Sequence, residues 1–196
     1  QAERQGQREL HQEHERNERD GPRHGGAVPR EEGDDEPQVY VIAPDGGEAR
    51  RLTDLPTGVS GIKWFPDSRR LAFISWVWPD SGMGKLERRW KEHKDSKVKA
   101  HVVEHSRYRF WDRWLTDGRV PHVFTVDPDT GRMRDLLAGT KYELYKADTC
   151  AHYYDISPDG REIAFAHDPE EDRRFDHEQQ LVTVEVKGTR FKALTG

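Results

Sequence analysis

The sequence predicts an all-β chain: about two and a half four-stranded antiparallel blades, a partial β-propeller, behind a disordered charged amino-terminal segment. Three observations predict it. From Gln38 onward, apolar residues alternate with polar ones at a period of two, in short runs bounded by Pro, Asp and Gly. The stretches "KWFPDSRRLAF" (63–73) and "DISPDGREIAF" (155–165) write one strand–turn–strand unit twice. A second hairpin type occurs three times: "QVYVIA" through "PDGGE" to "ARRLT", "HVFTVD" through "PDTGR" to "MRDLL", and "LVTVEV" through "KGT" to "RFKALT".

The amino-terminal segment, 1–36, is of another kind. It carries six Arg against eleven Asp and Glu, with only Ala2, Leu10, Ala27 and Val28 as apolar residues. So little burial cannot offset the entropy of ordering the chain. It reads as a charged disordered segment or an inter-strand loop, with no candidate strand in it. Residues 37–196 carry 26 basic and 26 acidic side chains, which gives no global electrostatic reason for binding nucleic acid. No apolar run reaches the roughly 18 residues that a helical membrane span needs, so no membrane partner is expected. The first residues also lack the apolar core of a secretory signal. Cys150 is the single cysteine, which rules out an internal disulfide, a multi-thiolate zinc site and a C-x-x-C pair. These features are compatible with the cytoplasm. The absent initiator Met and the stop at "KALTG" suggest a piece of a longer protein.

The paired hairpins use their turn residues for definable reasons. Pro66 and Pro158 set φ at the first corner, and Asp67 and Asp159 are placed to accept from nearby backbone amides. Gly160 accepts the left-handed conformation in which the strand resumes. Ser68 stands where that Gly would be, and strain is expected there.

Interleaving the hairpin types gives a four-stranded unit. The order is a half unit at 38–53, a full unit from about Val59 to Leu137, and a second from about His152 to Thr195. The two "PD" turns stand 92 residues apart, whereas a propeller blade takes about 40 to 50. The excess lies at 77–121, because "RLAFISW" is not followed by "HVFTVD" until residue 122. The strands upstream of the half unit are expected before Gln1, which makes 1–36 a loop within one blade. Two and a half blades do not close a ring, so the uncovered end blades predict self-association or aggregation.

At "YVIAPDGGEARRLTD…GIKWFPDSRRLAFIS" the chain resembles the TolB-type propeller repeat, through Tyr40, Gly46, Gly47, Leu52, Thr53, Trp64, Pro66, Asp67, Ala72 and Phe73. The stretch "KVKAHVVEHSRYRFWDRWLTDGRVPHVFTVDPDTGRMRDL" (97–136) is similar to the insert that prolyl oligopeptidase-family serine peptidases, of the acylaminoacyl-peptidase and dipeptidyl-aminopeptidase type, carry inside a blade. This resemblance implies a non-catalytic propeller that gates the access of short peptides to a separate carboxy-terminal α/β-hydrolase domain. There, a Ser-Asp-His set in that domain performs acyl transfer. No G-x-S-x-G nucleophile elbow occurs in the 196 residues, so the chain carries no catalytic, cofactor or metal residue by this reading. The repeats alone also fit a TolB-like protein-binding propeller with no enzymatic role, because a fold does not fix a function.

Other constellations have simpler readings. "HVVEH" (101–105) matches the inverted zinc-peptidase pattern, which requires a helix. Its surroundings alternate, with Val98, Val102 and Val103, and read as a strand, on which His101 and His105 would stand about 13 Å apart. "GMGK" (82–85) lacks the spacing and the hydroxyl of a phosphate-binding loop. "KLERRWKEHKDSK" (85–97) reads as an exposed helix or a mobile loop, mobility being favoured. Four of the six tryptophans fall in the insert, with Trp76 beside it, amid Arg107, Tyr108, Phe110 and Arg113. They either pack the insert on the propeller or face a partner domain or peptide channel. Arg109, Trp111, Asp112 and Trp114 are the candidates for the second role.

Overall fold

Three antiparallel sheets follow one another in a computed structural model, which describes residues 27–30, 36–98, 100–103, 108–111, 113–146, 149–171, 173 and 178–195. The first joins β1 (Ala27–Arg30), β2 (Gln38–Val41) and β3 (Arg50–Arg51) in that order. Next come β4 (Ser60–Trp64) and β5 (Leu71–Val77), then helix α1 (Met83–Asp95), a small hairpin of β6 (Arg109–Phe110) and β7 (Arg113–Trp114), then β8 (Val120–Val126) and β9 (Met133–Asp135). The second sheet has the order β4-β5-β8-β9. The third is β10 (Tyr154–Ile156), β11 (Glu162–His167), β12 (Gln180–Glu185) and β13 (Phe191–Ala193), again in chain order. This is the meander that the interleaved hairpins predict. Among the described residues no helix is long and apolar enough to cross a membrane.

Two expectations need correction. A strand does lie within the charged segment: β1 pairs with β2 from Ala27↔Val41 to Arg30↔Gln38, so the first sheet has three strands rather than two. "AVPR" shows no alternation and contains Pro29, which is tolerated at the edge of a ladder. The strand read over "KVKAHVVEH" is absent from its described part, where 97, 98 and 100–103 have no regular structure and Val98 and Val102 are 73% and 70% exposed. A strand needs a ladder partner, and both edges of β5 are already taken by β4 and β8. The "KLERRW" stretch resolves as helix, with Leu86 its buried contact.

The two "PD" turns are alike in detail. Phe65 and Arg70 close one and Ser157 and Glu162 the other, each with an N–H donating across at 2.9 Å. Asp67 Oδ1 accepts from the Arg69 amide and Asp159 Oδ1 from the Arg161 amide, both at 3.0 Å. Ser68 sits at φ 53 and Gly160 at φ 65, so the serine does take the left-handed conformation.

Sheet packs on sheet through two cores. Val39, Val41 and Leu52 of the first sheet meet Leu71, Phe73 and Phe124 of the second, where the Phe73 and Phe124 rings stack at 5.4 Å. The other face of the second sheet, with Ala72, Ile74 and Val123, meets Ile163, Phe165 and Val182 of the third. Both faces of β5 and β8 are therefore buried, which explains their near-continuous apolar runs.

Polar contacts align the blades from inner to outer strand. Lys63 Nζ donates to Tyr154 O at 2.6 Å and pairs with Asp155 at 3.1 Å, and the Tyr154 hydroxyl donates to Gly61 O. Burial pushes the Tyr154 pKa well up, with the Asp155 charge adding to it, so the hydroxyl stays a donor. At Gly61, φ 58, a Cβ would lie 2.9 Å from Ile74 Cδ1 and 3.1 Å from Ala151 N, so a side chain there would force β4 away from the turn at Ala151–Tyr153 that leads into β10. At the outer strands, Arg50 donates to Pro128 O, and Arg134 to Val186 O at 2.9 Å and to Gly188 O.

Two outcomes follow for the turns. A Cβ at Gly160 meets only ordinary contact with Phe65, at 3.4 Å. Gly160→Ala should therefore cost about 1 kcal/mol through backbone conformation alone, and Ser68→Gly should add about 0.5 kcal/mol, both read by urea unfolding. Asp127 is held below the ordinary carboxyl value of 3.8 chiefly by the Thr130 amide, and Asp159 chiefly by the Ser157 hydroxyl. Their folded pKa values are depressed, so their contribution is full above the unfolded value and lost as pH falls through the folded one. Thermal unfolding followed from about pH 6 down to pH 2.5 should show falling stability at the acid end, with a flatter decline in Asp127→Ala and Asp159→Ala.

Candidate functional site

Antiparallel order sends five of the connections to one rim of the blades: 42–49, 65–70, 127–132, 157–161 and 186–190. The connections 52–59, 78–119, 136–153 and 168–179 lie at the opposite rim. The three longest of these connections, 78–119, 136–153 and 168–179, thus share one rim. One rim is built of tight turns, and the other carries the insert and the other long loops, where binding residues tend to concentrate.

The insert is clamped at its base. Trp78 is buried, and its indole N–H donates to Asp117 O at 2.7 Å, so the outgoing and returning strands are tied just beyond the β5–β8 ladder. Arg119 pairs with Asp117 at 2.6 Å and lays its guanidinium 4.7 Å from the Trp90 ring centroid and 5.8 Å from that of Trp78. His93 stacks on Trp90 from the same helix at 5.6 Å. With Leu86 in the first core and Trp90 packed against it, these contacts dock α1 although most of its surface is charged. Beside it lies a cleft of about 370 Å³, lined among others by Gln38, Leu55, Trp90, Lys91 and Lys94. On the short-turn rim, Arg70, Asp159, Arg161, Glu185 and Lys187 line a wider opening of about 890 Å³.

Further out, the aromatic residues behave differently. Arg109 Nε donates to Trp111 O at 2.6 Å, and its guanidinium lies 5.3 Å from the Trp114 ring centroid. Trp111 stands at φ 52 with 82% of its surface exposed. Trp114, 37% exposed, stacks on His101 at 4.0 Å with the rings 9° from parallel, and His101 Nδ1 is 3.1 Å from Thr116 Oγ1. Tyr108 completes the group, tilted against Trp114 at 6.0 Å. Of the four sequence candidates the structure brings together Arg109, Trp111 and Trp114, whereas Asp112 lies outside the described residues.

The aromatic residues of the insert thus differ in burial. Trp78 and Trp90 pack on the propeller, whereas Tyr108, Trp111 and Trp114 project from neither core. Sequence reading missed His101 as the stacking partner of Trp114 and Arg119 as the residue that bridges two tryptophans. In the sequence, the spacing of His101 and His105 points to zinc instead. Among the described residues no group of three or more His, Cys, Asp or Glu is placed to hold a metal ion.

No family model matches the chain. Among curated proteins it is 30% identical over 141 residues to dipeptidyl-peptidase 5 of Porphyromonas endodontalis. It is 32% identical over 133 residues to the uncharacterized peptidase YuxL of Bacillus subtilis. Each match covers 67% of this chain and 18% of the relative, so the chain spans less than a fifth of the length of the proteins it resembles. Among solved structures, an acylaminoacyl peptidase in complex with Z-Gly-Gly-Phe-chloromethyl ketone aligns with a TM-score of 0.57 at 13% identity, covering 87% of this chain and 23% of that one. The acylaminoacyl peptidase of Pyrococcus horikoshii in its orthorhombic form gives 0.55 at 13% identity with the same coverage. At that identity the likeness speaks for the fold.

The clamp predicts a local effect. Trp90→Ala removes the ring beneath Arg119 and should lower the opening free energy of α1 by about 2 kcal/mol. Amide hydrogen exchange should quicken in 83–95 and leave the β5 and β8 amides unchanged.

Proposed function

We propose that this chain, which belongs to the propeller region of the prolyl oligopeptidase-type serine peptidases, serves as the non-catalytic part of a peptidase. Its elaborated rim faces an α/β-hydrolase domain and limits which peptides reach it. The observation that carries this reading is the hairpin at 108–114, an aromatic and cationic group standing clear of both cores on the rim that collects the long connections.

The chemistry suits contact with a peptide or a partner surface. Trp and Arg are the side chains most often found anchoring interfaces, because they combine large apolar area with fixed hydrogen-bond geometry. The Arg109 guanidinium is already held by Trp111 O and lies near the Trp114 ring, so little further freedom is lost when it meets a carboxylate or a carbonyl. Asp112 adjoins these residues in sequence and belongs to the proposal on that ground. Acyl transfer itself would be performed by the hydrolase domain, since the 196 residues contain no G-x-S-x-G. Short peptides are the proposed substrates, as a propeller that covers an active site excludes folded chains by size.

In the protein that carries this chain together with a hydrolase domain, Trp111→Ala should change selection and leave the chemistry intact. The ratio of kcat/KM for a peptide of about 20 residues to that for a chromogenic dipeptidyl substrate is expected to rise about threefold or more. An unchanged ratio, or an equal loss on both substrates, would set the gating role aside.

A further inference from the structure

The hairpin of β6 and β7 holds one guanidinium in a fixed direction. Arg109 and Trp114 are partners across its ladder, and the Arg109 guanidinium stands 5.3 Å from the Trp114 ring centroid. His101 stacks on that ring at 4.0 Å, and its Nδ1 lies 3.1 Å from Thr116 Oγ1, so the ring is itself held. The bond from Arg109 Nε to Trp111 O, at 2.6 Å, fixes the guanidinium a second time. Among the described residues no acceptor takes a hydrogen bond from its Nη groups, and Arg109 is exposed. With Nε occupied, the free part of the fork is its end, where one N–H of Nη1 and one of Nη2 run parallel. Two parallel donors match the two oxygens of a carboxylate, whereas a peptide carbonyl uses only one of them.

Two further observations point the same way. Trp111 takes φ 52, a conformation that costs a bulky side chain about 1 kcal/mol and that Gly or Asn would adopt with less strain. Its ring is 82% exposed, so burial does not offset that cost, and the turn displays an apolar surface beside the guanidinium. The local charge also favours an anion. Residues 97–119 carry six Lys and Arg against three Asp and Glu, and one of each sign, Arg119 and Asp117, is engaged in the clamp at the base.

We infer that the 108–114 hairpin is a carboxylate subsite for peptides. Nη1 and Nη2 of Arg109 take the two oxygens of a carboxylate on the peptide, and the Trp111 ring covers the residue that bears it. The carboxylate is that of the peptide's C-terminus or of an Asp or Glu side chain. This rests on the reading of the long-loop rim as the one that meets peptides, and it deepens that reading by naming the class of peptide selected.

Kinetics of the protein that carries this chain together with a hydrolase domain test it. A peptide of about six residues with Gln at two internal positions is prepared as the free acid and as the C-terminal amide, and a third form is the amide with Glu in place of both Gln. The acid-to-amide ratio of kcat/KM reads the terminus, and the Glu-to-Gln ratio reads the side chain. At least one ratio is expected to be about fivefold or more in the wild type, to fall to within about twofold of unity in Arg109→Ala, and to fall by at least about half in Arg109→Lys, which keeps the charge and loses the fork. Both ratios near unity in the wild type would overturn the inference. So would a preference that survives in both variants, including an equal loss on all three peptides, because Arg109 would then serve only to anchor the hairpin. All three peptides have one length, so size selection by the rim can hold while the carboxylate preference fails, and the two readings are separated.

Discussion

Each sheet of this chain has two apolar faces, and the need to cover both is the constraint on which the remaining structure depends. A sheet with one wet face could stand alone with clean alternation. Here the middle strands β5 and β8 are buried almost throughout, so a neighbour on each side is required. Stacking of Phe73 on Phe124 is one product of that requirement, since they are cross-strand neighbours on the face pressed against the first sheet. The polar contacts are subordinate to it but fix how the faces meet. Gly61 lets β4 approach the turn before β10, Lys63 and Tyr154 hold the two strands in line, and Arg50 and Arg134 tie the first two sheets to the hairpin of the next.

The same constraint sorts the connections. Turns between adjacent strands must be tight where the ladder continues into them, as the hydrogen bonds around Ser68 and Gly160 show. At the other rim the chain leaves the ladder, and the cost of closing a longer loop grows only slowly with its length. Elaboration therefore accumulates there. The insert is attached without disturbing the sheet because its base is closed by Trp78, Asp117 and Arg119, all on connecting segments beside the ladder.

Local chemistry made most of the fold legible in the sequence. The hairpins are specified by alternation and by Pro, Asp and Gly at turn corners, and even the strained Ser68 could be picked out by comparing two copies of one turn. The insert is legible as the interval between two strands that must be adjacent. What escaped reading depends on partners distant in sequence. "AVPR" becomes a strand only because β2 offers an edge, and the alternation around Val98 and Val102 fails to become one because no edge is offered. The candidate site was legible as composition but not as arrangement. Trp78 and Trp111 look alike in sequence, and only their burial, 4% against 82%, separates a clamp from a displayed side chain.

The β5–β8 ladder pairs seven residues on each strand without a register shift, from Leu71↔Val126 to Val77↔Val120. With the Trp78–Asp117 bond just beyond its end, the blade is insulated from whatever sequence joins the two strands. That makes the ladder's end a splice point, where a foreign module such as a fluorescent reporter or an affinity handle can be carried while the blade keeps its own register. The chain is in this sense already a host and its aromatic hairpin a passenger, and exchanging the passenger is a modular operation that leaves the host's architecture intact.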